Sequence, residues 1–590
     1  MTTRTDTDVV GARTSGSTSA AAAGDGAGAT SGSTSNKHSG IAPNASSDKN
    51  LSHSTLSGSG AIRLIAVAGA SGFIGTALCP ELAKRYQVRA LTRSQVRAAR
   101  PSAHPNIHWE HCDLFSADAV RHGLRDVDVA IYLVHSQAPS SRLTQAQPRD
   151  MDLILADNFA QAAAANGVRQ ILFVSGLLPR GFEFAPLLWN RREVEMVLAA
   201  RGTPITALRA SLVVGPGGSG PSLLIDLVRR LPVMLLPPSA QSLTRPIALQ
   251  DLIRALLHCL GRPQDFTGAF DIGGADGLSY AEMLRATADA LGLRRAFIPV
   301  PVLPKRLAAL TARWVAGAPP ALVGAIVESL PEDNHLRDNP VQQAIAPEAL
   351  GFRAALEQVL TAQNPLARQP THRPARQATH KPVDKPAHKP TRPISPRAAW
   401  LPADRARMRQ QSLVRSIQRI ITPPGLDAAW VAGSYFRWLG RCCFGLIKTE
   451  LTPANPPTNP AAKPVSDHSF DLAPGDSANQ ESGDWTVTTR WPRITLLRLK
   501  LEPALSTSER RVYRIAGGLL ARPTAPSTEQ ALPRFEFQSL LDGRYTMAAI
   551  HDYAPALPWP IYRFTQAPLH LWVMRRYQHR LATLVTQGQH

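Results

Sequence analysis

The sequence predicts two folded parts. The first is an α/β domain with a doubly wound parallel sheet, and the second an α+β domain with an antiparallel sheet and a long C-terminal helix. Three observations lead there. Apolar runs alternate with helical patterns between residue 61 and about residue 360, which is the rhythm of parallel strands covered by helices on both faces. A glycine-rich turn joins the first run to the first helix. From residue 485 onward the pattern changes to alternating short runs closed by one long amphipathic stretch, as half-buried strands and a covering helix require.

Residues 61–93 read AIRLIAVAGASGFIGTALCPELAKRYQVRALTR. The apolar run from Ile62 to Ala68 is a strand, the helical pattern follows the glycines, and Val88 to Leu91 is a second strand ending at Thr92-Arg93. This is the first half of a Rossmann domain, a dinucleotide-binding arrangement. Gly69 allows a sharp turn off the strand. Gly72 leaves room for a pyrophosphate to approach the backbone. Gly75 lets the helix pack close to the sheet. The expected phosphate cradle is Gly69, Ala70, Ser71, Gly72, Phe73, Ile74 and Gly75, backed by the N–H groups and partial positive charge of the helix N-terminus. Binders of NAD place an acid about 20 residues after the glycines to hold the ribose 2′-hydroxyl. Here Thr92, Arg93 and Ser94 stand at the strand end. They suit a 2′-phosphate, so NADP(H) is favoured over NAD(H).

Further strands follow in order. Ile107–Glu110 leads into Cys112-Asp113-Leu114, and Val127–Val134 ends at His135-Ser136. A helix over 152–167 finishes at Gly167, a plausible C-cap. Ile171–Val174 ends at Ser175-Gly176, followed by a helix over 191–201, a strand over Ile205–Ala210 and the turn GPGGSG at 215–220. Ligands of such sheets sit at the carboxyl ends of the strands. Gly69–Gly75, Arg93, Asp113, His135 and Ser175 all fall at that edge.

Lys and Arg outnumber Asp and Glu by 65 to 44, for a net charge of +21. Such an excess draws a chain toward nucleic acid or anionic membrane. Much of it lies in Arg368–Arg397, where eight bases stand against one acid, Asp384, with no aromatic side chain to stack on bases. A solvated basic linker is the expectation there, and nucleic acid is not an expected partner. Four segments result: a disordered 1–60, poor in large apolar side chains; the dinucleotide-binding domain at 61–360; a basic, proline-rich linker at 361–398 with THRP, THKP and AHKP near-repeats; and the α+β domain at 399–590, interrupted by a flexible insert at 452–483. The linker histidines lack cysteine partners and are stiffened by proline, so no metal site is expected. Five cysteines at irregular spacing fit neither a disulfide framework nor zinc. With no uninterrupted transmembrane run and no leader-like N-terminus, the expectation is a cytoplasmic protein. A peripheral position at the inner face of the membrane is the alternative.

The segments AGASGFIG (68–75), LTR (91–93), CDL (112–114), YLVHS (132–136), DNFAQAAAANGVRQILFVSGL (157–177), NRREVE (190–195) and FDIGG (270–274) carry a family resemblance. Over about 61–355 the chain resembles the atypical short-chain dehydrogenases/reductases, the NmrA-like NAD(P)-binding proteins related to the complex I accessory subunit. The resemblance implies a glycine turn holding the pyrophosphate and Arg93 near the 2′-phosphate. Asp113, with Leu114, would lie beside the adenine, and Val134–His135 would line the ribose. Ser175 would occupy the strand end where active relatives keep a catalytic serine. One departure matters. Active relatives carry Tyr-x-x-x-Lys on the next helix, where the lysine helps a tyrosine exchange its proton. Here the segment reads LLWNRREV from Leu187, with Trp189 and, four residues on, Glu193. His135 is then the best substitute acid, because imidazole titrates near neutrality. Ser175, Asn190 and Arg192 are helpers at most, and Arg192 and Glu193 are expected to form a surface ion pair or to anchor the helix.

In the C-terminal region the alternating runs are 485–491, 494–501, 510–520 and 534–553, the last bent at Asp542-Gly543, a hairpin signal. A final helix is expected over Leu569–Val585. The arrangement is similar to the helix-grip domains appended to some proteins of this subgroup. The aromatic, basic stretch Trp430–Leu446 would either rest on an anionic membrane or pack against the strands. Three functions stay open. The chain would be an NADPH-dependent oxidoreductase on a small apolar substrate, a redox-silent NADPH-binding module that steers a protein partner, or a peripheral membrane or lipid-handling protein.

Overall fold

The computed structural model describes residues 61–135, 141–179, 185–301, 336–363, 406, 413–443, 445–453, 483–522 and 532–587. The segment 1–60, nearly all of the basic linker and the insert at 454–482 lie outside these described residues.

Seven parallel strands form the first sheet. They are β1 (Leu64–Ala68), β2 (Gln87–Thr92), β3 (Ile107–His111), β4 (Val129–Tyr132), β6 (Gln170–Gly176), β7 (Ile205–Ala210) and β8 (Gly268–Ile272), in the order β8-β7-β6-β4-β1-β2-β3. A further short strand, β5 (Leu143–Gln145), leaves this sheet. The order reverses at β1 and β4, so a crevice opens between their carboxyl ends. Strand side chains alternate between two separate cores. Ala66, Ala68, Tyr132, Ile171 and Phe173 face one; Ile65, Val67, Ile131 and Leu172 face the other. Helices α1 (Phe73–Ala83) and α4 (Leu249–Cys259) cover the second face, and α2 (Pro148–Ala165) and α3 (Pro186–Ala199) the first. Gly167 follows α2 at φ +67°, the left-handed conformation that a glycine after a helix end supplies.

Eight strands form the second sheet. They are β5, β9 (Val414–Ile421), β10 (Ile447–Pro453), β11 (Gly483–Thr489), β12 (Thr495–Leu501), β13 (Arg510–Gly517), β14 (Arg534–Leu540) and β15 (Tyr545–Tyr553), in the order β10-β11-β12-β13-β14-β15-β9-β5. All neighbours are antiparallel except β9 and β5, which are parallel. The sheet is therefore mixed, and it borrows one strand from the first half of the chain. Three of its strands, β5, β9 and β10, were not expected from the sequence.

One face of this sheet carries α5 (Ala428–Cys442), the short α6 (Trp559–Phe564) and the long α7 (Gln566–Gln587). Tyr435, Phe436 and Trp438 of α5 are buried among Trp485, Phe535, Phe537 and Tyr577. Of the two expectations for Trp430–Leu446, the structure adopts packing along α5, while Leu446 beyond it stands exposed. The other face meets α2, because Ile417, Leu540, Met547 and Ala549 share a core with Met151, Ile154, Leu155 and Phe159. Helix α2 is thus covered by both sheets and is buried nearly all round, with Asp150, Asp152, Asp157 and Asn158 among its buried residues. The five cysteines are free thiols, and burial pushes Cys79 and Cys259 up to about 12, which makes them inert. Among the described residues no helix is long and apolar enough to cross a membrane.

Candidate functional site

The glycine turn sits at the carboxyl end of β1, beside β4. Gly69 has φ +86°, and a Cβ there would come within 2.9 Å of the Leu133 carbonyl oxygen. A Cβ on Gly75 would collide with the backbone of Gly69 and Ala70. Both positions need glycine for conformation or close approach. Gly72 is exposed and forms the N-cap of α1. No side chain caps this helix, and its first turn holds no acid. Its leading N–H groups are left for an anion, as a pyrophosphate cradle requires. Ala70 and Gly75 are buried, while Ser71, Phe73 and Ile74 are half-buried on the rim of the turn.

At the end of β2, the Thr92 side chain accepts from the Ser94 N–H at 3.2 Å, and Ser94 caps the short helix that follows by accepting from the Arg97 N–H at 3.1 Å. Arg93 stands between them, half-buried. Burial lowers its pKa, with Asp113 acting against that shift and Arg415 adding to it. Asp113 follows β3. Its carboxylate accepts from the Phe115 N–H at 3.2 Å and pairs with Arg415 at 3.3 Å. Arg415 comes from β9, is 2% exposed, and lies 3.9 Å above the Phe115 ring. Burial opposes the charge on Asp113, but Arg415 and Arg93 outweigh it and hold the carboxyl below its ordinary value. Leu114 is buried, and its carbonyl accepts from Asn158 of α2 at 3.0 Å. The wall expected to meet adenine is therefore braced from behind by the C-terminal sheet.

His135 lies just beyond β4, two residues from the Leu133 carbonyl that packs on Gly69. Its Nδ1 is 2.9 Å from the Asp152 carboxylate, and Asp152 also accepts from Asn190 at 3.1 Å. Asp152 is 1% exposed on α2, and Asn190 is 4% exposed on α3. A carboxylate accepts, so Nδ1 carries the proton and Nε2 keeps its lone pair. Burial and then the Arg191 guanidinium lower the His135 pKa, against the hydrogen bond and charge of Asp152. Val134 is half-buried beside it. Neighbouring Tyr132 is fully buried with its hydroxyl unpartnered, and burial raises its pKa well above the ordinary phenol value.

Ser175 is 5% exposed at the end of β6. Its hydroxyl is buried without a hydrogen-bond partner among the described residues. On the neighbouring helix, burial opposes the charge of Glu195, but Arg209 and then Arg192 hold its carboxyl below the ordinary value. Arg209 holds Glu195 through two bonds at 3.0 and 2.7 Å, and Arg192 adds a third at 2.9 Å. The expected Arg192–Glu193 surface pair does not form, because residues three apart on a helix share a face and adjacent ones do not. Glu193 is 3% exposed and takes Arg419 of β9 in a bidentate pair at 2.7 and 3.0 Å. Trp189 is 43% exposed. The structure thus brings together Gly69, Val134 and His135, and it places Arg93 near Asp113. Asp152, Arg191 and Arg415 were not read from the sequence as site residues. Asp152 is one of three aspartates in α2, beside Asp150 and Asp157, so the sequence alone did not single it out.

The fold and this edge define a Rossmann-like α/β protein. Residues 69–213 match the family model described as NAD(P)H-binding, which points the same way as the resemblance to atypical short-chain dehydrogenases/reductases. The auxiliary protein GraX of Staphylococcus aureus (strain NCTC 8325 / PS 47) is 29% identical over 143 residues, a match spanning 24% of this chain and 42% of that relative's length. The chain is also similar to solved structures across about half its length. A nucleoside-diphosphate-sugar epimerase of Staphylococcus aureus is 14% identical, with 50% of this chain and 100% of that chain covered, at a TM-score of 0.41. An NADPH-dependent quinone oxidoreductase of Escherichia coli is 18% identical over 51% of this chain and 100% of its own, at 0.40. The triphenylmethane reductase of Citrobacter sp., complexed with NADP(H), is 15% identical over 50% of this chain and 99% of its own, also at 0.40.

Proposed function

We propose that residues 61–360 bind NADPH in preference to NADH and that the chain is an NADPH-dependent oxidoreductase on a small apolar carbonyl or alkene compound. The single observation that carries this reading is the His135–Asp152 pair, 2.9 Å apart at the strand edge beside the glycine turn. Bound NADPH supplies a hydride; the protein must supply the proton and the geometry. Asp152 fixes the imidazole, so that Nε2 is the atom that gives or takes a proton. Asn190 fixes Asp152 in turn. Arg93 faces the 2′-phosphate, and Trp189, one residue from Asn190, offers apolar surface to the substrate.

Calorimetric titration and NADPH oxidation over a panel of carbonyl and alkene compounds test this reading. Arg93→Ala is expected to weaken NADPH binding about tenfold to a hundredfold, as loss of a charge-assisted bond does, and to change NADH binding little. His135→Ala is expected to lower kcat about a hundredfold or more with NADPH affinity retained. Unchanged turnover in that variant removes His135 from the mechanism.

A second reading rests on Trp189 and Glu193 standing where Tyr-x-x-x-Lys is expected, with Glu193 committed to Arg419. In it NADPH is held without turnover and its occupancy is passed on through Asp113 and Arg415. Tight NADPH binding with no oxidation across the panel would select this reading.

A further inference from the structure

One end of the C-terminal sheet displays apolar side chains on several adjoining turns. Trp491 is 90% exposed, Phe564 76%, Leu446 69%, Leu519 57%, Ile561 50% and Ile494 41%. Backbone hydrogen bonds tie the turns into one rim. The Arg490 N–H donates to the Leu446 carbonyl at 2.8 Å, Thr489 to Ile494 at 2.9 Å, Leu519 to Thr495 at 3.0 Å and Ala556 to Leu520 at 3.0 Å. The chain then enters α6, which carries Ile561 and Phe564. Isolated exposed apolar residues need no explanation, but a contiguous group of this size marks a contact surface.

Charge identifies the partner. The rim segments 441–448, 489–496, 517–522 and 553–569 contain Arg441, Lys448, Arg490, Arg493, Arg522 and Arg563 and no Asp or Glu. Glu450, two residues past Lys448, pairs with Lys448 at 2.8 Å and with Arg493 at 2.7 Å, so the rim keeps a net positive charge carried chiefly by the other arginines. Helix α7, which continues from the rim, has no acid along its whole length. Bulky apolar and aromatic side chains projecting from turns, with an excess of positive charge around them, fit a soft anionic surface. The rings sink to headgroup depth and the guanidinium groups meet phosphates. Each basic residue near such a surface strengthens partitioning by roughly fivefold. We propose that this end of the C-terminal sheet docks on an anionic lipid surface through Trp491 and Phe564, with Arg490, Arg522 and Arg563 around them. The proposal stands apart from the NADPH reading, since none of its residues belongs to the glycine turn or the His135 cluster.

Co-sedimentation of the full chain with vesicles of phosphatidylcholine containing phosphatidylglycerol, and with vesicles of phosphatidylcholine alone, tests it. The expected result is binding to the mixed vesicles that weakens steeply with salt. The double variant Trp491→Asp/Phe564→Asp should lose at least about tenfold in partitioning. Its thermal unfolding and its NADPH titration should be unchanged, since both side chains are exposed. Absence of wild-type binding overturns the proposal. So does undiminished binding by the double variant, which would assign the attraction to the basic linker that the variant retains. A concentration-dependent dimer in sedimentation analysis that the same variant abolishes would make the rim a protein interface, and also overturns it.

Discussion

At the scale of single residues, His135 decides what the site can do. A reduction that takes its proton from the imidazolium runs through the protonated form. Burial and Arg191 lower the His135 pKa, so this form is scarce at neutral pH. The rate of reduction should therefore rise as pH falls below the ordinary imidazole value of about 6.5, and the reverse oxidation should be favoured above it. Asp152→Asn removes the charge that opposes the shift. That variant should move the apparent pKa of kcat/KM further down and lower kcat about tenfold to a thousandfold. Profiles of the wild type and this variant check the prediction, and an unchanged pH dependence would separate Asp152 from the chemistry. The two halves of this pair were unequally legible. His135 ends an apolar run, so its position at the sheet edge followed from pattern alone. Asp152 is 17 residues further on, inside a helix whose burial by two sheets only the tertiary structure reveals. Asp113 was legible as a strand-end acid, but its partner Arg415 lies 302 residues away, and no local signal spans that distance.

At the scale of elements, β9 shows why the second sheet was read incompletely. Its sequence VRSIQRII carries Arg415 and Arg419, which look like the solvent face of a strand or the tail of a basic linker. Both arginines instead turn toward the first half of the chain, Arg415 to Asp113 and Phe115 beyond β3 and Arg419 to the junction with α2 and α3. Arg419 bonds Asp150 at 2.8 Å and clasps Glu193. The clean alternation of β11 to β15, with Asp542-Gly543 between the last two, was legible because one face of each strand packs on α5 and α7. Strand β5, of three residues, is too short to carry a pattern. Removing one partner from a buried charge cluster strands the others in low dielectric. Arg419→Ala should therefore destabilise the protein by about 3–5 kcal/mol, read by urea unfolding. Replacing the cluster together, as Arg419→Met with Glu193→Leu and Asp150→Leu, should recover most of that loss. A loss below about 1 kcal/mol for Arg419→Ala would mean that the junction tolerates free carboxylates and is wetter than its burial implies.

At the scale of the whole molecule, the two sheets share α2 and exchange β5, so acid that loosens one junction should be felt by both. His570 of α7 is a probe of this coupling. Its Nε2 is 3.1 Å from the Ser416 hydroxyl of β9, and on the neighbouring strand Gln145 donates to the Ala567 carbonyl at 3.0 Å. Burial alone depresses the His570 pKa to about 4. Above the unfolded value of about 6.5 both states hold a neutral imidazole and the group is silent. As pH falls from about 6.5 toward 4, the unfolded chain takes up a proton that the folded one refuses, and stability declines by up to about 1.4 kcal/mol per pH unit. The group's full contribution over that interval is about 3 kcal/mol. His551 is shifted in the same direction by burial, and Glu536, held well below the ordinary value by Arg510, His551 and Arg534 against burial, loses its contribution at lower pH still. The comparison that isolates His570 is the pH dependence of urea unfolding in wild type and His570→Asn. The variant should be less stable near neutrality and lose about 3 kcal/mol less on going to about pH 4. Equal losses in the two proteins would mean that acid reaches His570 through local opening of α7 before the sheets part.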